Sequence, residues 1–152
     1  MASNRDYKDL FRIFSDEQVE YLVVGAHAVV YYAEPRYTKD IDIWVRPTLE
    51  NARRVWSALK RFGAPLGQVT PEDFSDAAMV YQIGVEPNRI DILMGVDGVQ
   101  FESAWQNKVE STYDGVPIHI LGRNDLIKAK QTAKRPQDLL DLERLKRSDD
   151  SR

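Results

Sequence analysis

Residues 23 to 45, VVGAHAVVYYAEPRYTKDIDIWV, place two aspartates in a segment that otherwise has the pattern of a buried strand. The run from Asp40 to Val45 alternates, so Asp40 and Asp42 are expected on one face and the residues between them on the other. Aspartate is depleted in strands because it packs poorly against a sheet. Two aspartates on one strand face therefore indicate a functional site rather than a scaffold.

The segment before these aspartates predicts a strand, a turn and a short helix. Residues 20–24, EYLVV, form a short and mainly apolar run that ends at Gly25. Residues 26–33 form one or two helical turns of small and aromatic residues, which Pro35 ends. A helix that starts directly after a strand points free backbone N–H groups at its own N-terminus, where a phosphate can bind. A lone glycine at this place more often forms only a turn. It supports a phosphate site here because it lies upstream of the two aspartates.

The rest of the chain predicts an α+β fold built on one mixed sheet. Asp114-Gly115 is a two-residue hairpin signal, and Arg135-Pro136 separates two C-terminal helices. We treat residues 1–152 as a single domain with the helices of about 124–146 packed on it. Further helices are predicted at 6–14, 48–63 and 101–107, and strands at 78–83, 89–94, 109–113 and 116–121.

A third carboxylate, Asp91, interrupts the apolar run RIDILM on a neighbouring predicted strand. Two carboxylates about 7 Å apart on one strand repel each other, and a shared divalent cation removes that conflict. The chain has no cysteine and only two histidines, so the ligands would be mainly carboxylates, which suit Mg²⁺ or Mn²⁺. Three carboxylates on adjacent strands suit two-metal phosphoryl transfer.

The alternative for these aspartates is ordinary surface ion pairing. Lys39, Arg36 and Arg89 are close enough in sequence to serve as partners. For any single aspartate this interpretation is the better one. The coincidence of three aspartates with an upstream glycine turn favours the metal site.

Composition indicates a soluble globular chain. Hydrophobic residues make up 43% and charged residues 30%, and the formal net charge is −3. No apolar run is long enough for a membrane span and no signal peptide is evident, so we expect a cytoplasmic protein without a membrane partner. Basic residues outnumber acidic ones between positions 123 and 147. That segment either meets phosphates or is a solvated helix face.

The motif around these aspartates resembles the signature of the DNA polymerase beta-like nucleotidyltransferase superfamily. That signature has a Gly-Ser or Gly-Gly turn, a short helix and then Asp-x-Asp. The Arg-x-Thr-x-Asp-x-Asp form that begins at Arg36 and Thr38 most resembles the branch of AbiEii-like toxins and small uncharacterised nucleotidyltransferases. The ending DLIKAKQTAKRPQDLLDLERL resembles the Leu-Ile-x-x-Lys...Arg-x-x-Asp-x-x-Asp-Leu ending of that branch.

The resemblance implies a polymerase beta-like mixed sheet with helices packed on it and a two-helix C-terminal ending. It implies a metal-dependent enzyme that moves an NMP from an NTP to a hydroxyl of tRNA or a protein. The resemblance also implies a role in a toxin–antitoxin or phage-defence system, in which the protein would act with a cognate antitoxin or another partner protein. Asp40 and Asp42 would bind both Mg²⁺ or Mn²⁺ ions, and Asp91 would bind the catalytic one.

The remaining site residues carried by the resemblance concern the nucleotide. Backbone amides of the glycine turn would cradle phosphate, and a lysine of the penultimate helix (Lys130, with Lys128 a weaker choice) would lie near the triphosphate. The nucleotide-binding set is Gly25, Ala26, Arg36, Thr38, Lys130, Arg135 and Asp138.

Ala26 supports a competing hypothesis. It stands where the signature has serine or a second glycine, so it offers no hydroxyl to a phosphate. The chain would then be a catalytically inactive nucleotide- or partner-binding module of the same fold. A third hypothesis is an antitoxin-type enzyme that adds AMP to a partner protein.

Overall fold

The computed structural model describes residues 4–33, 40–85 and 88–150. Helices and strands alternate along the chain, which confirms the predicted α+β class. The helices are α1 (Arg5–Asp16), α2 (Gly25–Tyr32), α3 (Leu49–Phe62), α4 (Phe101–Gln106), α5 (Arg123–Ala133) and α6 (Pro136–Asp150), with a 3₁₀ turn at Pro71–Ser75. The strands are β1 (Tyr21–Val24), β2 (Ile41–Val45), β3 (Val80–Ile83), β4 (Ile90–Leu93), β5 (Val109–Tyr113) and β6 (Val116–Ile120).

The strands form one mixed sheet in the order β3-β4-β2-β1-β6-β5. Strand β2 pairs antiparallel with β1 and parallel with β4. The register places Val24 opposite Asp42, and Asp42 opposite Asp91. The end of β1 and these two aspartates therefore lie in one row across three adjacent strands.

The two faces of the sheet have different roles. On one face, Val23 and Ile41 lie beside Phe11 of α1, which packs with α3. The next residue along each strand, Val24 and Asp42, faces a cavity on the opposite side. Helix α5 closes that cavity and packs against α6. One face is therefore mainly apolar, and the other holds the candidate site.

Capping and turn residues in the sequence correctly predict the ends of α3 and the turn between β5 and β6. Thr48 caps α3 by accepting a hydrogen bond from the Asn51 N–H, and Gly63 ends the helix in the left-handed region. Asp114 and Gly115 both have positive φ, as a tight hairpin turn requires. The prediction for β2 is wrong by one residue, because the strand begins at Ile41.

None of the helices within the described residues has the length and apolar character needed to cross a bilayer.

Candidate active site

A cavity of about 520 Å³ lies between the sheet and the two C-terminal helices. Its polar floor comes from the strand ends and its far wall from α5 and α6. It is lined by Val24, Gly25, Asp42, Asp91, Leu93, Gly95, Val96, Asp97, Leu121, Leu126, Ala129, Lys130, Ala133, Arg135 and Asp138. The structure thus brings together six of the predicted site residues from four parts of the chain.

Gly25 makes room for the Asp42 carboxylate. Its φ is +66°, in the left-handed region that L side chains rarely adopt. A Cβ at this position would lie 3.0 Å from Cγ of Asp42 and closer still to Oδ2. Glycine is therefore required here for two reasons, backbone conformation and the close approach of the aspartate.

Asp42 and Asp91 form the acidic centre of the cavity. They are registered partners on parallel strands, and their carboxyl groups are within hydrogen-bonding reach. Burial raises the pKa of Asp42 to about 7, and the neighbouring charge of Asp91 adds to the effect, while Lys130 opposes it. The site therefore places two carboxyl groups where both cannot ionise without cost.

Asp40 does not join this pair in the cavity. It precedes β2, does not line the cavity, and is held by Arg89 instead. The Arg89 side chain reaches Oδ2 of Asp40 at 3.2 Å, and its Nε donates to Oδ1 of Asp91 at 2.9 Å. The expectation that Asp40 and Asp42 share one strand face stays a prediction, since Asp40 lies directly before β2 and contacts the same arginine as Asp91.

Lys130 is buried in the cavity wall between two carboxylates. Its Nζ lies 3.1 Å from Oδ1 of Asp138 and 3.2 Å from Oδ2 of Asp141. Arg135 also donates to Asp138 through Nε at 2.8 Å. Burial alone would raise the pKa of Asp138, but hydrogen bonds from Arg135 and Lys130 outweigh it and hold that pKa below its usual value.

Several other predicted residues lie elsewhere. Ala26 follows Gly25 at the start of α2 but is not among the residues that line the cavity. Lys128 is exposed on α5. Trp44 of β2 was not one of the predicted site residues; it is buried and packs edge-on against Phe101. Two candidates, Arg36 and Thr38, lie outside the described residues.

The Asp42–Asp91 pair fits a hard divalent cation. A cation between two buried carboxylates relieves the charge conflict that raises the pKa of Asp42. The full set of three is not assembled in this arrangement, since Asp40 is engaged by Arg89. Within residues 4–33, 40–85 and 88–150, no group of three or more His, Cys, Asp or Glu side chains is arranged to hold a metal ion.

Three residues of the site were missed or undervalued by sequence reasoning. Arg89 was considered only as a surface partner, yet it bridges two of the three aspartates. Asp141 is fully buried against Lys130, and its helical spacing from Asp138 was the available signal. Asp97 lines the cavity from the loop after β4, and no sequence signal marks it.

The fold is shared with solved nucleotidyltransferase structures. The crystal structure of lincomycin-bound LnuA, a lincosamide antibiotic adenylyltransferase, has a TM-score of 0.61 at 14% identity, covering 95% of this chain and 97% of that one. The solution structure of the antibiotic-resistance factor ANT(2'')-Ia gives 0.60 at 12% identity, with 97% and 82% coverage. A proposed nucleotidyltransferase of Thermotoga maritima gives 0.62 at 16% identity, with 97% and 92% coverage.

No protein-family model matches the sequence, and no curated protein matches it. At these identities the structural likeness speaks for the fold. The predicted nucleotidyltransferase fold is confirmed: the chain has the architecture of the nucleotidyltransferases named above.

Proposed function

We propose that the protein is a metal-dependent nucleotidyltransferase that moves an NMP from an NTP to a hydroxyl acceptor. The observation that carries the proposal is the pairing of Asp42 with Asp91 on the floor of a cavity of about 520 Å³ that Gly25 and Lys130 also line. Paired acidic groups can hold metal ions for phosphoryl transfer, and a helix start and a fixed cation can bind its phosphates. The shared fold agrees with this chemistry.

In the proposed reaction, the acceptor oxygen forms a bond to the α-phosphorus of the NTP. The bond from that phosphorus to the bridging oxygen of the β-phosphate breaks, and pyrophosphate leaves with the electron pair. Asp91 assists removal of the acceptor proton. Mg²⁺ or Mn²⁺ held by Asp42 and Asp91, with Asp40 as the third predicted ligand, supplies Lewis-acid polarisation of the phosphoryl oxygens when bound.

The cationic wall of the cavity suits the leaving group. Of the residues that line this wall, Lys130 and Arg135 are positive and pair with Asp138, so two positive charges face one negative charge. A fixed positive charge stabilises the negative charge that develops on departing pyrophosphate. On the opposite side of the cavity, no side chain caps the start of α2. The backbone N–H groups there are suited to bind the phosphates of the nucleotide.

The acceptor is proposed to be tRNA or a protein, within a toxin–antitoxin or phage-defence setting. The support is the resemblance of the Asp-x-Asp motif and of the C-terminal ending to the AbiEii-like branch. LnuA and ANT(2'')-Ia point to antibiotics instead, so small hydroxyl compounds belong among the acceptors tested. The cytoplasm is the proposed compartment.

The test is incubation of the protein with each labelled NTP, Mg²⁺ and three acceptor pools: total RNA, lysate protein, and lincomycin with other hydroxyl-bearing antibiotics. Label should move to one pool and should be lost in Asp42→Asn. Asp9→Asn, a half-exposed carboxylate of α1, is the matched control and should keep full activity. Undiminished transfer by Asp42→Asn would show that the acidic pair is not the catalytic centre.

A second candidate is a nucleotide-binding module without catalysis. Two observations favour it: alanine at position 26, and the engagement of Asp40 by Arg89. Calorimetry separates the two candidates. Tight NTP binding together with no transfer to any of the three acceptor pools supports the module, and turnover excludes it.

A further inference from the structure

Arg89 occupies an unusual position directly before β4. Its Nε and Nη2 donate to Oδ1 and Oδ2 of Asp91 at 2.9 and 3.2 Å, a two-point contact with one carboxylate. The same guanidinium lies 3.2 Å from Oδ2 of Asp40, and the Arg89 backbone N–H donates to Oδ1 at 3.2 Å. All four carboxylate oxygens of these two aspartates therefore interact with one arginine.

The main chain of Arg89 is anchored on two sides. Its carbonyl accepts a hydrogen bond from the Ile41 N–H at 3.0 Å and another from the Tyr7 hydroxyl at 3.3 Å. The side chain is less confined, with 29% of its surface exposed, while the side chains of Asp40 and Asp91 are exposed by only 14% and 10%. The guanidinium is therefore more accessible to solvent than the two carboxylates that it contacts.

We propose that Arg89 is an internal counter-cation that competes with a divalent ion for Asp40 and Asp91, and thereby sets the metal affinity of the site. This inference rests on the proposed function, since it takes the three aspartates as metal ligands. A carboxylate oxygen that accepts a hydrogen bond from a guanidinium cannot coordinate an ion with the same lone pair. The guanidinium and the ion therefore compete for these oxygens, and the ion binds more tightly once the guanidinium leaves.

The arrangement has a consequence for the order of binding. With Arg89 in place, one of the two negative charges of Asp40 and Asp91 is already offset, so the site binds a bare ion more weakly. A metal–nucleotide complex brings phosphate oxygens, which offer the displaced guanidinium new partners. Arg89 would thus make ion binding depend on the nucleotide.

The experiment measures Mn²⁺ binding without nucleotide, from the electron paramagnetic resonance signal of the free ion. Arg89→Gln should bind Mn²⁺ at least about tenfold more tightly than the wild-type protein, because a unit positive charge close to the site no longer opposes the ion. Arg89→Lys keeps the charge but loses the two-point contact, so its affinity should fall between the two. Arg61→Gln is the matched control, since Arg61 pairs with Asp16 at 3.0 Å away from the cavity; it should bind as the wild type does.

Thermal unfolding gives a second readout. Arg89→Gln leaves the acidic centre without its internal cation, so Mn²⁺ should raise its melting temperature by more than it raises that of the wild type. If Arg89→Gln folds only when Mn²⁺ is added, that rescue supports the proposal and Arg89→Lys supplies the affinity.

Two results would count against the proposal and can be told apart. If Arg89→Gln and Arg89→Lys bind Mn²⁺ no more tightly than the wild type, the counter-cation role is wrong and the metal site stands. If no variant and no wild-type protein binds Mn²⁺, even with ATP, the metal assignment fails and the proposed function fails with it.

Discussion

The Asp42 carboxyl group is buried beside Asp91, and its pKa of about 7 is well above the usual value for aspartate. A folded-state pKa above the unfolded value means that the folded protein holds the extra proton between those two values. The stability that this group contributes is therefore present at low pH and lost as the pH rises from about 4 to 7. Protons and metal ions should also compete for Asp42. We therefore expect the pH dependence of stability to appear in the metal-free protein.

We predict that Asp42→Asn removes this pH dependence in the presence of a chelator. At pH 4 the variant and the wild type should have nearly the same free energy of unfolding. At pH 8 the variant should be more stable, on the order of 1–4 kcal/mol, because the neutral amide carries no buried charge. Denaturant titrations at pH 4 to 8 measure the difference, with Asp9→Asn as the exposed control. A gap between Asp42→Asn and the wild type that stays constant over this range would show that Asp42 does not titrate there.

A second prediction concerns Gly25 and distinguishes the cost of backbone strain from the cost of steric contact. Gly25→Ala places a Cβ at positive φ, which costs about 1–2 kcal/mol, and also drives it into the Asp42 carboxylate. Gly115→Ala is the matched control, since Gly115 has a φ of +84° and nothing within 4 Å of the added Cβ. Only Gly25→Ala should weaken Mn²⁺ binding as well as stability.

The two alanine variants are compared by thermal melting and Mn²⁺ titration. Both should unfold at lower temperature than the wild type, and Gly25→Ala at the lower of the two. Equal Mn²⁺ affinity in the two variants would mean that the position of the Asp42 carboxylate does not depend on glycine at position 25.

Helices α5 and α6 are joined by a buried ionic network centred on Lys130. Asp138 and Asp141 are almost fully buried, and both carboxylates accept from the lysine. Removal of one partner from a buried ion pair leaves an uncompensated charge. The network therefore makes Lys130 a structural residue as well as a candidate phosphate ligand.

We predict that Lys130→Met lowers the free energy of unfolding by about 3–5 kcal/mol, because Asp138 and Asp141 lose their shared cation. Lys128→Met, on the same helix but exposed, should change it by less than about 0.5 kcal/mol. Chemical denaturation of the two variants measures this. A small effect of Lys130→Met would indicate that Arg135 and Arg144 suffice to neutralise the two aspartates.

The elements show which parts of the structure were predictable from sequence. Helix α3 has its capping threonine and terminal glycine within its own segment, so local chemistry sets its ends. The row formed by Asp42 and Asp91 was predictable in kind, because both interrupt apolar strand patterns. The contact of Asp40 with Arg89 was not, because it joins residues 49 positions apart and the sequence does not show which cation reaches this aspartate.

The pairing of side chains from different helices and strands was the other part that the sequence could not reveal. The spacing of Lys130 from Asp138 and Asp141 does not say whether the lysine faces a nucleotide or two helical carboxylates. That choice is made by the packing of α5 on α6. Likewise, the alternation of β2 predicts which face Trp44 takes, but not that Phe101 covers it.

The candidate site joins parts of the molecule that are distant in sequence. Strands β1 and β2 are the two central strands of the sheet, and β4 joins them on one side. The Lys130 wall comes from α5, after the last strand. A ligand held by all of these parts binds only the folded chain, so its binding energy should add to the stability of the whole molecule.

We therefore predict that ATP with Mn²⁺ raises the melting temperature of the wild-type protein in a single transition. At ligand concentrations of about 100 times the dissociation constant, the added stability should be about 2.7 kcal/mol, or roughly 5–10 °C for a chain of this size. Asp91→Asn should lose most of the shift, because it removes one half of the acidic pair, whereas Asp9→Asn should keep it. Differential scanning calorimetry with ATP alone, Mn²⁺ alone and both together separates the contributions, and an Asp91→Asn shift equal to that of the wild type would mean that the ligand binds outside this cavity.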